Sequence, residues 1–159
     1  MDYPWTYCVQ TQTVKMHRNF NSQLTGLPRD TRIIIFEEEK IVHCEFSNFN
    51  QPIYKKELPP DVKCIEFCSS FNQPINEDSL PDSITHLTFG ITFKQSLDKL
   101  PNSLIFLELP MCYNQPINNL PYSLKTLRIS SKYPIENIKV PFGCEIFKKE
   151  HGVYSLFLY

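Results

Sequence analysis

The stretch "FNQPINEDSLPDSITHLTFG", residues 71–90, decides the fold, because near-copies of it lie on both sides. Upstream, "FNQPIYKKELPPDVKCIEF" occupies 49–67, and downstream, "YNQPINNLPYSLKTLRI" occupies 113–129. Anchored on Leu27-Pro28, Leu58-Pro59, Leu80-Pro81, Leu100-Pro101, Leu120-Pro121 and Val140-Pro141, successive units are 31, 22, 20, 20 and 20 residues apart. The aromatics that open the units, Phe20, Phe49, Phe71, Phe93, Tyr113 and Tyr133, step by 29, 22, 22, 20 and 20. A period near 20–22 predicts a solenoid of the leucine-rich class, in which each coil contributes one short parallel strand. The fold class is therefore a mainly β repeat solenoid with irregular convex turns.

After each Leu-Pro the pattern apolar-x-x-apolar-x-apolar recurs as Ile84, Leu87, Phe89; Leu104, Leu107, Leu109; Leu124, Leu127, Ile129; and, more loosely, Val62, Ile65, Phe67. A strand alternates faces with period two, so the fourth and sixth positions point inward and the third and fifth outward. The same frame places Thr11, Val14 and Met16 inward, so the coil starts close to residue 11. It reads the outward pairs as Ile33 and Ile35, Cys64 and Glu66, His86 and Thr88, Phe106 and Glu108, Thr126 and Arg128, Ile146 and Lys148.

The rest of the unit is construction. In Phe-Asn-Gln-Pro-Ile the Phe and Ile fill the core from the back wall. The Asn and Gln amides both donate and accept, so stacked copies can satisfy backbone groups that leave the sheet. On this reading Asn72 and Asn114 form a buried ladder, and Asn72→Asp is harmful because a carboxylate cannot donate. Pro fixes φ for a tight re-entry into the strand.

These units resemble FNIP repeats, a leucine-rich-repeat-like family of social amoebae and of the large DNA viruses that infect amoebae. The resemblance covers about residues 11–147 and implies one domain over 1–159, with an N-terminal cap at about 1–19, repeats over 20–147 and a C-terminal cap over 148–159. It departs at "TRIIIFEEEKIVHCEF", 31–46, where two strand-like runs around "EEEK" suggest an inserted hairpin or extra turn. It departs again where "YPIENIKVPFGCEIF" loses Asn-Gln and "GVYSLFLY" adds a final apolar strand. Relatives that resemble ubiquitin-ligase receptors carry an F-box before the repeats. That module needs about 40 residues of helix, so the ligase role is not carried over to this chain.

Composition sets the boundaries of function. The 159 residues have 16 Lys and Arg against 17 Asp and Glu, with no basic stripe to neutralise phosphates, so nucleic acid is not an expected partner. Neither a signal peptide nor a run of about 18 apolar residues is present, which implies a cytoplasmic or nuclear chain without a membrane partner, its six cysteines thiols. Four scattered glycines form no phosphate loop, and no metalloprotease or nucleophile-elbow motif occurs, so no enzyme and no cofactor are expected. His43, Cys44, Cys64 and Cys68 are zinc-ligand types on neighbouring coils, but their faces and the Cys64-x-x-x-Cys68 spacing argue for ordinary packed cysteines and no metal. Function is thus expected on the variable, concave strand face, with Glu66, His86, Thr88, Ile105, Phe106, Glu108, Thr126 and Arg128 contacting a protein partner. Phe106 is the anchor type that hot spots favour. The alternatives are an adaptor for a ubiquitin ligase part on another chain, or a structural or decoy protein.

Overall fold

The computed structural model describes residues 3–37, 47–134, 138–150 and 153–157. Among these residues nine strands form one sheet in sequence order: β1 Trp5–Cys8, β2 Thr13–Met16, β3 Ile33–Phe36, β4 Cys64–Glu66, β5 His86–Thr88, β6 Phe106–Glu108, β7 Thr126–Ser130, β8 Glu145–Glu150 and β9 Val153–Phe157. From β2 to β8 every pairing is parallel; β1 and β9 are antiparallel and close the two ends as hairpins. No helix occurs among the described residues. The repeat is therefore a parallel β-solenoid.

Each coil reverses twice, and both reversals are β-turns written into the unit. The first joins the strand exit to the opening aromatic: Phe71 N–H donates to Cys68 O, Phe93 to Gly90, Tyr113 to Pro110 and Tyr133 to Ser130, at 3.1–3.2 Å. The second starts at the proline of Leu-Pro, whose carbonyl accepts the N–H three residues on. Thr31, Val62, Ile84, Leu104, Leu124 and Cys144 donate in this way to Pro28, Pro59, Pro81, Pro101, Pro121 and Pro141. The residue after that proline is the outer corner of the coil, exposed as Arg29, Pro60, Asp82, Asn102, Tyr122 and Phe142.

The inward frame is as expected for the middle coils. Ile84, Leu87, Leu104, Leu107, Leu124 and Leu127 are fully buried, and Phe89, Leu109 and Ile129 nearly so. Behind them the opening aromatics stack into a column, with centroids 5.7 Å apart for Phe20–Phe49, 5.8 Å for Phe49–Phe71, 6.2 Å for Phe71–Phe93 and for Phe93–Tyr113, and 6.3 Å for Tyr113–Tyr133. A second column, Phe36–Phe67–Phe89, leans on the first, Phe67–Phe71 at 4.1 Å and Phe89–Phe93 at 3.9 Å.

Three expectations need correction or placement. Thr11 is exposed, because it lies in the β1–β2 turn beside Gln12 (φ 51°), and Thr13 takes the buried place. In the last coil Thr126 pairs with Glu145, one residue short of the 20-residue step, so the faces exchange. Ile146 is fully buried opposite Leu127, Lys148 lies opposite the inward Ile129, and Glu145 and Phe147 take the outward places expected for Ile146 and Lys148. Of the two strand-like runs in 31–46, the first is β3; the remainder, with His43 and Cys44, lies outside the described residues.

An amide ladder links the first four coils, but it is half-exposed instead of buried, it works by acceptance, and Asn114 does not extend it: exposed, its Oδ1 accepts from Gln115 of its own coil at 3.1 Å. Asn50 N–H and Gln51 Nε2 donate to Asn21 Oδ1, each at 3.0 Å. Asn72 N–H and Gln73 Nε2 donate to Asn50 Oδ1 at 2.9 and 3.1 Å, and Lys94 N–H and Gln95 Nε2 to Asn72 Oδ1 at the same distances. Lys94 replaces Asn in the fourth coil and has no acceptor, so this chain of bonds stops there. In the next coils the Tyr113 and Tyr133 hydroxyls, new relative to Phe, donate to Gln95 O at 3.0 Å and Gln115 O at 2.6 Å. A parallel serine ladder follows the Leu-Pro turns: Ser83, Ser103 and Ser123 Oγ donate to Val62, Ile84 and Leu104 O at 2.6–2.7 Å.

Because Asn72 is used through Oδ1, the expected penalty for Asp there disappears. Asn72→Ala is expected to cost about 0.5–1.5 kcal/mol, because Lys94 N–H loses its acceptor while Gln95 Nε2 keeps Asn72 O at 3.1 Å, and Asn72→Asp stays close to wild type at neutral pH. Denaturant melts of the two variants check this; equal losses would mean that the amide's own donors matter.

Candidate functional site

The strand registers lay the outward residues in two rows across the open face of the sheet. One row runs Ile33, Cys64, His86, Phe106, Thr126, Glu145; the next runs Ile35, Glu66, Thr88, Glu108, Arg128, Phe147. Seven of the eight expected site residues therefore share one surface. Ile105 stands just before β6, exposed at the strand entry, where its carbonyl accepts from Lys125 and Thr126 N–H.

Phe106 is not a free ring. The His86 ring stacks on one side at 5.6 Å, and the Arg128 guanidinium lies over it at 5.0 Å, within cation–π range. Arg128 in turn sits 4.6 Å over Tyr154 of β9, and Lys149 of β8 lies 4.9 Å from the same ring. Glu108 collects this end of the face. The Tyr154 hydroxyl donates to Oε1, Arg128 lies 3.4 Å from Oε2, and Lys149 lies 3.8 Å from Oε1. Burial, then the bond to Glu108, raises the Tyr154 hydroxyl far above its usual range, so it stays protonated. The Nε of Arg128 is buried without a hydrogen-bond partner among the described residues.

Sequence reasoning missed Tyr154, Lys149 and Phe147, which the C-terminal hairpin brings onto this face. The signal was the short alternation in "EIFKKE" and "VYSLF", hidden by the one-residue slip in the last coil. Beside the cluster an open groove of about 440 Å³ runs past Glu66, Thr88, Glu108 and Lys149 to a rim of half-exposed Ile91 and Met111.

The cysteines divide. Cys64 is half-buried on the open face, and burial with the nearby Glu66 pushes its thiol up to about 11. Cys68 is buried on the other side, its thiol donating to Phe49 O at 3.3 Å. The two thus face apart, and no cluster of three or more metal-ligating side chains occurs among the described residues. Among the described residues Cys8, Cys64, Cys112 and Cys144 are free thiols. No helix of the described residues is long and apolar enough to cross a membrane.

Comparison with known proteins agrees with this architecture. Residues 71–112 match the family model described as FNIP Repeat. The sequence matches no curated protein. A solved structure, "CroV588 a novel circular LRR protein", superposes with a TM-score of 0.55 at 28% identity over 82% of this chain. The match covers 26% of that protein, so the chain spans about a quarter of its length. Over residues 71–112 the chain carries the FNIP repeat, and its solenoid is leucine-rich-repeat-like.

Proposed function

We propose that the chain is a non-enzymatic protein-binding module whose partner docks on the open, concave strand face. The observation that supports this most is a division of labour within the unit. The Phe, Asn, Leu-Pro and Ser positions are occupied by core packing and coil-to-coil hydrogen bonds, whereas the outward strand positions change chemistry from coil to coil. A net charge of -1 gives little long-range attraction, so recognition rests on shape and a few anchors. The centre is the His86–Phe106–Arg128 stack with Ile105 beside it, and Glu66, Thr88, Glu108 and Thr126 form the polar surround.

The test is a quantitative pull-down with wild type and Phe106→Asp, followed by titration of the purified partner. Phe106→Ala is expected to weaken binding about 30-fold, corresponding to the roughly 2 kcal/mol typical of an interface anchor. Because the ring packs between His86 and Arg128, the melting temperature also falls modestly; binding measured well below the melt separates the two effects. A partner that binds Phe106→Asp as tightly as wild type places recognition elsewhere.

A further inference from the structure

Three charged side chains line the groove beside the Glu108 cluster: Glu66, Glu108 and Lys149. Glu108 is answered within the chain, by Lys149, Arg128 and the Tyr154 hydroxyl. Glu66 is exposed, and its carboxylate makes no hydrogen bond or ion pair with any described residue. A partner that covers this face takes that carboxylate out of water. Covering an ion is strongly unfavourable unless a cation meets it, so the partner has to bring one.

The opposite rim supplies an apolar seat. In the exit turns the residue after Cys68, Gly90, Pro110 and Ser130 is Ser69, Ile91, Met111 and Ser131. Serine in the flanking coils shows that the turn makes no apolar demand at this position, yet the two middle coils hold Ile91 and Met111 there, 52% and 50% exposed. Both line the same groove as Glu66. Gly90, on the same wall, adds no side chain to fill it.

The spacing of the two features fits an extended chain. Neighbouring strands lie about 4.8 Å apart, so the midpoint between the coils of Ile91 and Met111 is about 7 Å, measured across the strands, from the coil of Glu66. Alternate residues of an extended segment are also about 7 Å apart and share one face. A segment laid across the strands can therefore seat one side chain between Ile91 and Met111 and bring the side chain two residues away to Glu66. We infer that the groove takes an extended segment of a partner protein in which a Lys or Arg stands two residues from an apolar residue, the cation on Glu66 and the apolar side chain between Ile91 and Met111. The inference rests on the concave face being the docking surface and names the partner chemistry that the face selects.

Selection of a phage-displayed library of random peptides on the full chain tests it, with the enriched peptides synthesised and titrated against purified variants. The enriched peptides are expected to share the basic-x-apolar pair. Glu66→Gln and Met111→Ser are each expected to weaken them about tenfold or more, with circular dichroism and melting unchanged because both side chains are exposed. Replacing the peptide's basic residue by Gln should weaken binding to wild type by a similar factor and have little further effect on Glu66→Gln. Peptides that lose binding on Phe106→Asp but hold Glu66→Gln as tightly as wild type overturn this inference and leave the concave face as the docking surface. Peptides indifferent to both substitutions overturn both readings. A selection that enriches no peptide, or only peptides without a basic residue, overturns the inference as well.

Discussion

Gly90→Ala is expected to destabilise the solenoid by about 3 kcal/mol or more, at the upper end of overpacking changes. A Cβ added at Gly90 would stand 2.1 Å from Cys68 O, 2.4 Å from Cys68 C and 2.6 Å from Ser69 Cα. These are backbone atoms of the preceding coil, so no side chain can swing away to make room. The coil there is held from both sides: Phe93 N–H donates to Gly90 O at 3.2 Å, Thr92 N–H to Ser69 O at 3.1 Å, and Phe71 N–H to Cys68 O at 3.2 Å. Separating the two coils to admit a methyl would stretch the bonds that run between them, from Thr92 N–H and Thr92 Oγ1 to Ser69 O, and shift the turn that Phe93 N–H closes on Gly90 O. Gly26, by contrast, has φ 75° and nothing within 4 Å of an added Cβ, so its requirement is conformational instead of steric. Chemical denaturation of the two alanine variants separates the cases, with Gly90→Ala expected to lose clearly more; a Gly90→Ala protein as stable as wild type would show that the coils are not held in this close contact.

That contact was not legible in the sequence, because a close backbone approach leaves no periodic trace: the equivalent position holds Cys68, Pro110 and Ser130 in other coils. What was legible followed from repetition. Leu-Pro spacing set the number and order of the middle coils, and apolar-x-x-apolar-x-apolar identified Leu87, Leu107 and Leu127 as core. The reading failed where the unit changes length. A single missing residue between Cys144 and the strand reverses every face assignment after it, and the reversal put Glu145 where Ile146 was expected and Phe147 where Lys148 was. The same slip concealed that Tyr154 and Lys149 join Glu108 and Arg128, since side chains from an antiparallel hairpin follow no repeat frame. The Asn ladder was visible as a pattern but not in its chemistry; only the geometry shows that Oδ1 is the atom in use.

Phe71→Ala is expected to cost about 3–5 kcal/mol, the range for removing a buried aromatic ring, with the cavity term near its maximum. The ring is fully buried and stands where the two aromatic columns meet. It is 5.8 Å from Phe49 and 6.2 Å from Phe93 along its own column, and 4.1 Å from Phe67 and 6.5 Å from Phe89 across to the other. Its backbone is pinned as well: its N–H donates to Cys68 O, and its carbonyl accepts from Thr92 Oγ1 at 3.4 Å. The walls of the hole would therefore be other coils' rings and turns, each held in its own register, so little collapse can offset the loss. In a solenoid each coil is stabilised by its two neighbours, and a central cavity weakens both junctions at once. Phe20, at the N-terminal end of the column with one ring neighbour among the described residues, at 5.7 Å, offers the comparison: Phe20→Ala should cost less than Phe71→Ala. The outward Thr126→Ala should stay within about 0.5 kcal/mol. Equal losses for Phe20 and Phe71 in denaturant melts would mean that the column adds nothing beyond the burial of separate rings, and a harmless Phe71→Ala would remove the column from the core.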